Sequence, residues 1–316
     1  GRVFLVKSIL PLFFVGNNPY LDLSMTDDLL TIIQEESDSV FKASIIRKME
    51  PLASYGYTEL LKRIYTDEED STVKMELLTI LVALDPDWSR GIIEKILDSW
   101  SNENEVIIEN VLRLLPRFHD PSFSSLLLSL IENHPGEYVV LAAFDAIREM
   151  RDIEMIKELM RLIKDGGLQS DRLLETAVIT IDEILFYNMD NPGVSGWIDH
   201  FGNTLQSLMD GGPGVSLSSI YGIYIQRVFP PPSMCRGLLY DLNDFQVIDA
   251  VISSMGDTGI GEYAEVLVDY LEAVSDQNIV ISIVRALSRM FECDMAPILL
   301  AIYNEFPSLQ VKSEVI

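Results

Sequence analysis

Apolar residues recur along this chain with a period of 33 residues. Four columns of aligned apolar positions repeat at that spacing between residues 40 and 163. They are Val40, Val73, Val106 and Val139; Ile45, Leu78, Val111 and Phe144; Leu60, Ile93, Leu126 and Leu159; and Ile64, Leu97, Leu130 and Ile163. A fixed period of this length indicates one supersecondary unit that is copied along the chain.

Each unit is predicted to consist of two helices joined by a short turn. In the unit around residue 140, the apolar residues of 126–131 fall on one helix face. His134-Pro135-Gly136 then breaks the helix, and the apolar residues of 139–150 form a stripe on a second helix. The same pattern predicts first helices near 26–35, 57–65, 89–100, 122–132, 153–164, 196–209, 261–273 and 295–305. It predicts second helices near 40–50, 72–84, 105–116, 138–150, 172–187, 216–229, 245–255 and 279–291.

The period slips between residues 188 and 246, where three groups of turn-forming residues occur. These are Asn191-Pro192-Gly193, Gly211–Gly214 and Pro230–Pro232, and helical stripes at 197–208 and 217–228 lie between them. We interpret 188–246 as one irregular repeat, so that 1–187, 188–246 and 247–316 form a single solenoid domain. The irregular repeat, which contains Trp197, either marks a binding face or only changes the curvature.

The segment Val3–Val15 continues the period backwards and is predicted to be the second helix of a repeat whose first helix is missing. The chain begins with Gly1. We therefore expect it to be a fragment or a processed product of a longer protein.

The second-helix motifs resemble HEAT repeats. The resemblance is carried by the stretch from Val139 to Asp152, by 280–290 with its Arg285-Ala-Leu-Ser-Arg-Met, and by 247–257, which ends in Met-Gly-Asp. It implies an all-α, right-handed α-solenoid of about eight helical hairpins, with second helices lining the concave side. The family includes scaffolds, transport receptors, phosphatase regulatory subunits and bilin-lyase-like proteins.

Charge and cysteine content narrow the classes of partner. The 316 residues carry a net charge of −26, which disfavours nucleic acid and anionic membranes and favours basic partners. The alternative is that the acidic residues only keep an apolar-rich rod soluble. Cys235 and Cys293 form no disulfide framework, so we expect a reducing, cytoplasmic setting.

Two sets of charged residues are candidate partner-binding sites. Acidic residues precede nearly every second helix, and Asp67, Glu68, Glu69 and Asp70 are the densest group. Stacking would align such turns into a negative ridge for a basic partner, whereas the alternative role is helix capping.

The second set interrupts the apolar stripes of the second helices and consists of Lys42, Lys74, Arg113, Arg148 and Arg285. On a concave face these residues would make a less acidic groove that could take an acidic or amphipathic segment. The alternative is i, i+4 pairing within helices together with complementing the helix dipole.

The sequence contains no pattern that indicates catalysis. Three histidines, His119, His134 and His200, fall in different repeats without metal-ligand spacing, and the first two are expected to be solvated. We therefore expect a non-catalytic scaffold or adaptor that binds a protein or peptide and needs no cofactor or metal. The alternative is a HEAT-type enzyme, such as a bilin-lyase-like protein that binds a tetrapyrrole.

Overall fold

A computed structural model describes residues 30–49, 57–168, 170–210, 218–290, 296–305, 311 and 313. All regular secondary structure in these residues is helical, which confirms the all-α class. Residue contacts divide the chain into two compact units, Gly1–Met150 and Arg151–Ile316, and each unit is described by itself. The predictions for Val3–Val15, Gly211–Gly214 and Cys293 fall outside the described residues.

The first unit is built from helical hairpins. Residues 30–35 are helical, and the helices that follow are α1 Ser39–Met49, α2 Thr58–Asp67, α3 Ser71–Leu84, α4 Pro86–Asp98, α5 Glu105–Leu112, α6 Ser124–Asn133 and α7 Glu137–Met150. The second helices α1, α3, α5 and α7 pack against one another in chain order. Each first helix packs on the second helix that follows it, α2 on α3, α4 on α5 and α6 on α7.

The second unit repeats this arrangement. Its helices are α8 Met155–Lys164, α9 Asp171–Tyr187, α10 Val194–Asp210, α11 Ser218–Val228, α12 Pro232–Asp241, α13 Phe245–Thr258, α14 Gly261–Ala273, α15 Gln277–Arg289 and α16 Ala296–Glu305. The second helices α9, α11, α13 and α15 again pack in chain order, and each has the preceding first helix against it. Apart from α12, these bounds lie close to those predicted from the apolar stripes.

Each second helix of the first unit buries a pair of consecutive apolar residues. The pairs are Ile45-Ile46, Leu77-Leu78, Val111-Leu112 and Ala143-Phe144, and all eight side chains have 0% exposure. Successive pairs are 32, 34 and 32 residues apart, so the packing period alternates about the predicted 33.

The alternation makes one of the predicted apolar columns wrong. Val73 and Val139 are buried, but Val40 is 80% exposed and Val106 is 61% exposed. A shift of one residue turns a helical position by about 100°, and the column containing Val40 therefore leaves the core in every other repeat. The column containing Ile64 and the column containing Ile45 are buried throughout.

Helix α12 is absent from the sequence-based prediction, which gave only two helices between 188 and 246. Phe229 directly follows the end of α11 and has a positive φ of 51°. Pro231 is extended, with φ −62° and ψ 149°, and Pro232 begins α12. Proline is tolerated in the first turn of a helix because the N–H groups there have no partner within the helix. Tyr263 of α14 donates a hydrogen bond of 2.7 Å to the carbonyl oxygen of Pro230 and so fixes the junction.

Candidate partner-binding groove

Three second helices of the first unit, α1, α3 and α5, line a groove of about 510 Å³ that is open to solvent. Helix α3 contributes Thr72, Met75, Glu76 and Thr79, and helix α5 contributes Val106, Ile107, Asn110 and the adjoining Arg113. Residues spaced by three and four positions lie on one face of a helix, which explains why these side chains share the groove. The rest of the lining consists of Arg47 of α1, Ser71 and Asn104 at the starts of α3 and α5, and Leu114 and Arg117 beyond α5.

The residue that directly follows each buried pair occupies an equivalent position on every second helix of the first unit. The residues at this position are Arg47, Thr79, Arg113 and Asp145. The first three line the groove, and Arg113 and Asp145 line the adjacent pocket. Because the buried pair points into the core, the next residue is turned about 100° toward solvent.

The groove contains three guanidinium groups and one carboxylate. Arg47 Nε donates to Glu76 Oε1 at 3.1 Å, and the hydrogen bond and charge of Glu76 raise the pKa of Arg47. The guanidinium of Arg117 reaches the carbonyl oxygen of Thr79 at 3.4 Å from the 3₁₀ turn Leu115–Phe118. Arg113 is exposed, and its side chain makes no hydrogen bond or ion pair with the described residues.

A smaller pocket of about 180 Å³ lies between α5 and α7 and is acidic. Its charged lining residues are Glu109, Arg113, Asp145 and Glu149. Arg148 pairs with Asp145 at 2.5 Å, three residues before it on the same helix. Arg148 therefore pairs within its own helix, at a spacing of three residues and not the predicted four.

Lys42 and Lys74 are engaged outside the groove lining. Lys42 Nζ lies 2.7 Å from Glu68 Oε2, so one predicted groove residue and one predicted ridge residue pair with each other. Burial by itself would raise the pKa of Glu68, but the Lys42 ammonium and the N–H groups of Glu69 and Asp70 hold that pKa below its usual value. Lys74 Nζ lies 5.5 Å from the ring centroid of Tyr65.

Asp70 is the N-cap of α3, which confirms its capping role. Its carboxylate accepts hydrogen bonds from the N–H groups of Thr72 at 2.9 Å and Val73 at 3.1 Å. Asp67, the last residue of α2, and Glu69, in the turn before α3, are both exposed. A negative ridge along successive turns stays a prediction.

Arg285 and Trp197 belong to the second unit. Arg285 is exposed on α15, and Trp197 is half-buried on α10 with its ring centroid 6.2 Å from that of His200. Neither residue is in the lining of the groove in the first unit.

His134 differs from the sequence-based expectation, because it is buried with only 6% exposure. Its Nδ1 accepts a hydrogen bond from the Gly136 N–H at 3.0 Å, and its ring lies 4.8 Å from that of Trp100. The residue therefore closes the turn before α7. Within the described ranges, no group of three or more His, Cys, Asp or Glu side chains is arranged to hold a metal ion. In the same ranges, no helix has the length and apolar content needed to cross a bilayer.

Sequence reasoning identified Arg113 but missed Arg47 and Arg117. Arg47 follows the buried pair of α1 just as Arg113 follows the buried pair of α5. This equivalent position could have identified Arg47 as a groove residue from the sequence. Arg117 enters the groove only because a 3₁₀ turn redirects the chain after α5. No periodic signal indicates that turn.

No family model matches the chain, and no curated protein matches it. Among solved structures, the chain is similar to the crystal structure of SYS-1 at 2.6 Å resolution, with a TM-score of 0.37 and 12% sequence identity. The alignment covers 100% of this chain and 62% of the SYS-1 chain. A likeness of this degree carries no argument about function.

Proposed function

We propose that this chain is a HEAT-like, right-handed α-solenoid of about eight hairpins that acts as a non-catalytic scaffold or adaptor. It binds a segment of a partner protein along the face formed by its second helices. The observation that carries the proposal is the groove across α1, α3 and α5, which is lined by guanidinium, amide and hydroxyl groups.

Exposed apolar side chains on the same face support the proposal. Val106 is 61% exposed at the groove, and Tyr138 is 66% exposed at the adjacent pocket. Protein interfaces combine such aromatic and apolar anchors with arginine, and a few of these residues supply most of the binding free energy. The groove and the pocket together offer both components.

Site-specific photo-crosslinking in the native cells tests this function. A photoreactive residue replaces Val106 in the groove, and a matched variant carries it at Lys95, which is exposed on first helix α4. We expect a defined protein to crosslink at Val106 and not at Lys95. Crosslinking to the same proteins at both positions, or to none at Val106, would contradict a second-helix binding face.

A further inference from the structure

We propose that the groove across α1, α3 and α5 binds an acidic peptide segment of about six residues, with its carboxylates directed at Arg113 and Arg117. This inference rests on the proposed function and names the chemistry of the partner. The groove has three arginines and one glutamate in its lining, within a chain whose net charge is −26.

The hydrogen bonds and ion pairs already present in the groove favour binding of a carboxylate of the peptide at Arg113. The one lining carboxylate, Glu76, already accepts from Arg47. Arg113 lies exposed at the border of the groove without an ion pair to the described residues. A guanidinium binds a carboxylate through two parallel hydrogen bonds, which are stronger than hydrogen bonds between neutral groups.

The next repeat sets the limit of the acidic segment. On α7 the position equivalent to Arg113 is Asp145, and the pocket between α5 and α7, which Arg113 also lines, contains Glu149 of α7 and Glu109 of α5. These carboxylates disfavour a further acidic residue by like-charge repulsion. The acidic stretch therefore ends near Arg113.

The span of the groove gives the length of that stretch. Three packed helices spaced about 10 Å apart extend over roughly 20 Å. An extended peptide advances about 3.3 Å per residue, so about six residues cover that distance.

Fluorescence anisotropy with labelled homopeptides tests the proposal on the full chain. The probes are hexaglutamate, hexaglutamine, hexalysine and dodecaglutamate. We expect hexaglutamate to bind at least about tenfold more tightly than hexaglutamine, because each arginine–carboxylate contact is a charge-assisted hydrogen bond. Its affinity should fall as salt screens the contact, and dodecaglutamate should gain little because only about six residues fit.

Two charge-reversal variants locate the binding. Arg113→Glu should weaken hexaglutamate at least about tenfold. Arg63→Glu makes the same change in net charge at an exposed position of α2 outside the groove lining, and it should leave the affinity unchanged. Circular dichroism of both variants checks that they are folded, and Arg113→Gln provides a milder loss of charge.

The proposal is overturned if hexaglutamate shows no binding up to about 1 mM, if it binds no better than hexaglutamine, or if both reversals have equal effects. Tighter binding of hexalysine would also overturn it. If a protein still crosslinks at Val106 in any of these cases, only the acidic occupant is wrong and the scaffold function stands. If the crosslink at Val106 and the binding of hexaglutamate are both absent, the scaffold function and the acidic occupant are both wrong.

Discussion

At the scale of single residues, the acidic turns before the second helices have a structural role. Glu36 and Glu68 lie 32 residues apart, and the Oε1 atom of each accepts hydrogen bonds from the next two backbone N–H groups at 2.9–3.0 Å. Two residues further on, Asp38 and Asp70 accept from N–H groups in the first turn of the helix. The repeated acids therefore form a Glu-x-Asp turn that begins a second helix.

Removing the cap at Asp70 should destabilise the first unit. Asp70→Ala leaves N–H groups of α3 without their acceptor and should lower the free energy of unfolding by about 1 kcal/mol. The neighbouring change Glu69→Ala, at an exposed position, should cost less than about 0.5 kcal/mol. Chemical denaturation followed by circular dichroism measures both, and equal losses would show that the cap does not contribute.

The same position gives a pH dependence of defined sign. Hydrogen bonds from Val73 and Ser39 lower the pKa of Asp70 in the folded protein. Its charge therefore stabilises the fold above about pH 4, and that contribution is lost as the pH falls through the lowered pKa. The stability difference between the native chain and Asp70→Ala should shrink in acid and stay constant near neutrality.

The site was only partly predictable from residues taken one at a time. Arg113 stands out because it interrupts an apolar stripe. Lys42 interrupts a stripe in the same way, yet it pairs with Glu68, 26 residues further along the chain. The sequence pattern locates a charge on a helix face, but it does not identify the partner that another repeat supplies.

At the scale of helices, close packing in the second unit depends on Gly256. A Cβ atom added there would lie 2.7–2.9 Å from the backbone and Cβ atoms of Ala286, so α13 and α15 would have to separate. Gly222 of α11 similarly leaves only 3.0 Å to the Ser254 hydroxyl of α13. Small residues thus allow successive second helices to approach closely.

Gly256→Ala should therefore destabilise the protein by about 1–3 kcal/mol through overpacking. The matched change Gly237→Ala lies within helix α12 and meets no atom within 4 Å, so it should stabilise by up to about 1 kcal/mol through helix propensity. Thermal unfolding of the two variants distinguishes these opposite signs. A stabilising Gly256→Ala would mean that α13 and α15 are not in close contact.

The helices themselves were largely predictable, because amphipathic stripes and turn residues are local signals. Helix α12 was missed because three prolines masked its start, although Pro232 occupies a position that helices accept. The strict period of 33 failed at Val40 and Val106, and the turns between first and second helices differ in length. A strictly spaced column of apolar residues does not allow for such a difference.

At the scale of the whole molecule, the net charge and the groove act in opposite directions on an acidic partner. The charge of −26 repels such a partner at long range, while the arginines of the groove attract it at contact. At 0.15 M salt the Debye length is about 8 Å, so long-range repulsion is screened and close contacts persist in part. Binding should therefore be measured near that ionic strength.

The central claim is that a partner protein binds the second-helix face through an acidic segment in the groove. The most direct measurement is competition, with crosslinking of the partner at Val106 followed at 0.15 M salt as unlabelled hexaglutamate or hexaglutamine is added. We expect hexaglutamate to suppress the crosslink in a dose-dependent manner and hexaglutamine to leave it unchanged. An undiminished crosslink at saturating hexaglutamate would contradict the claim.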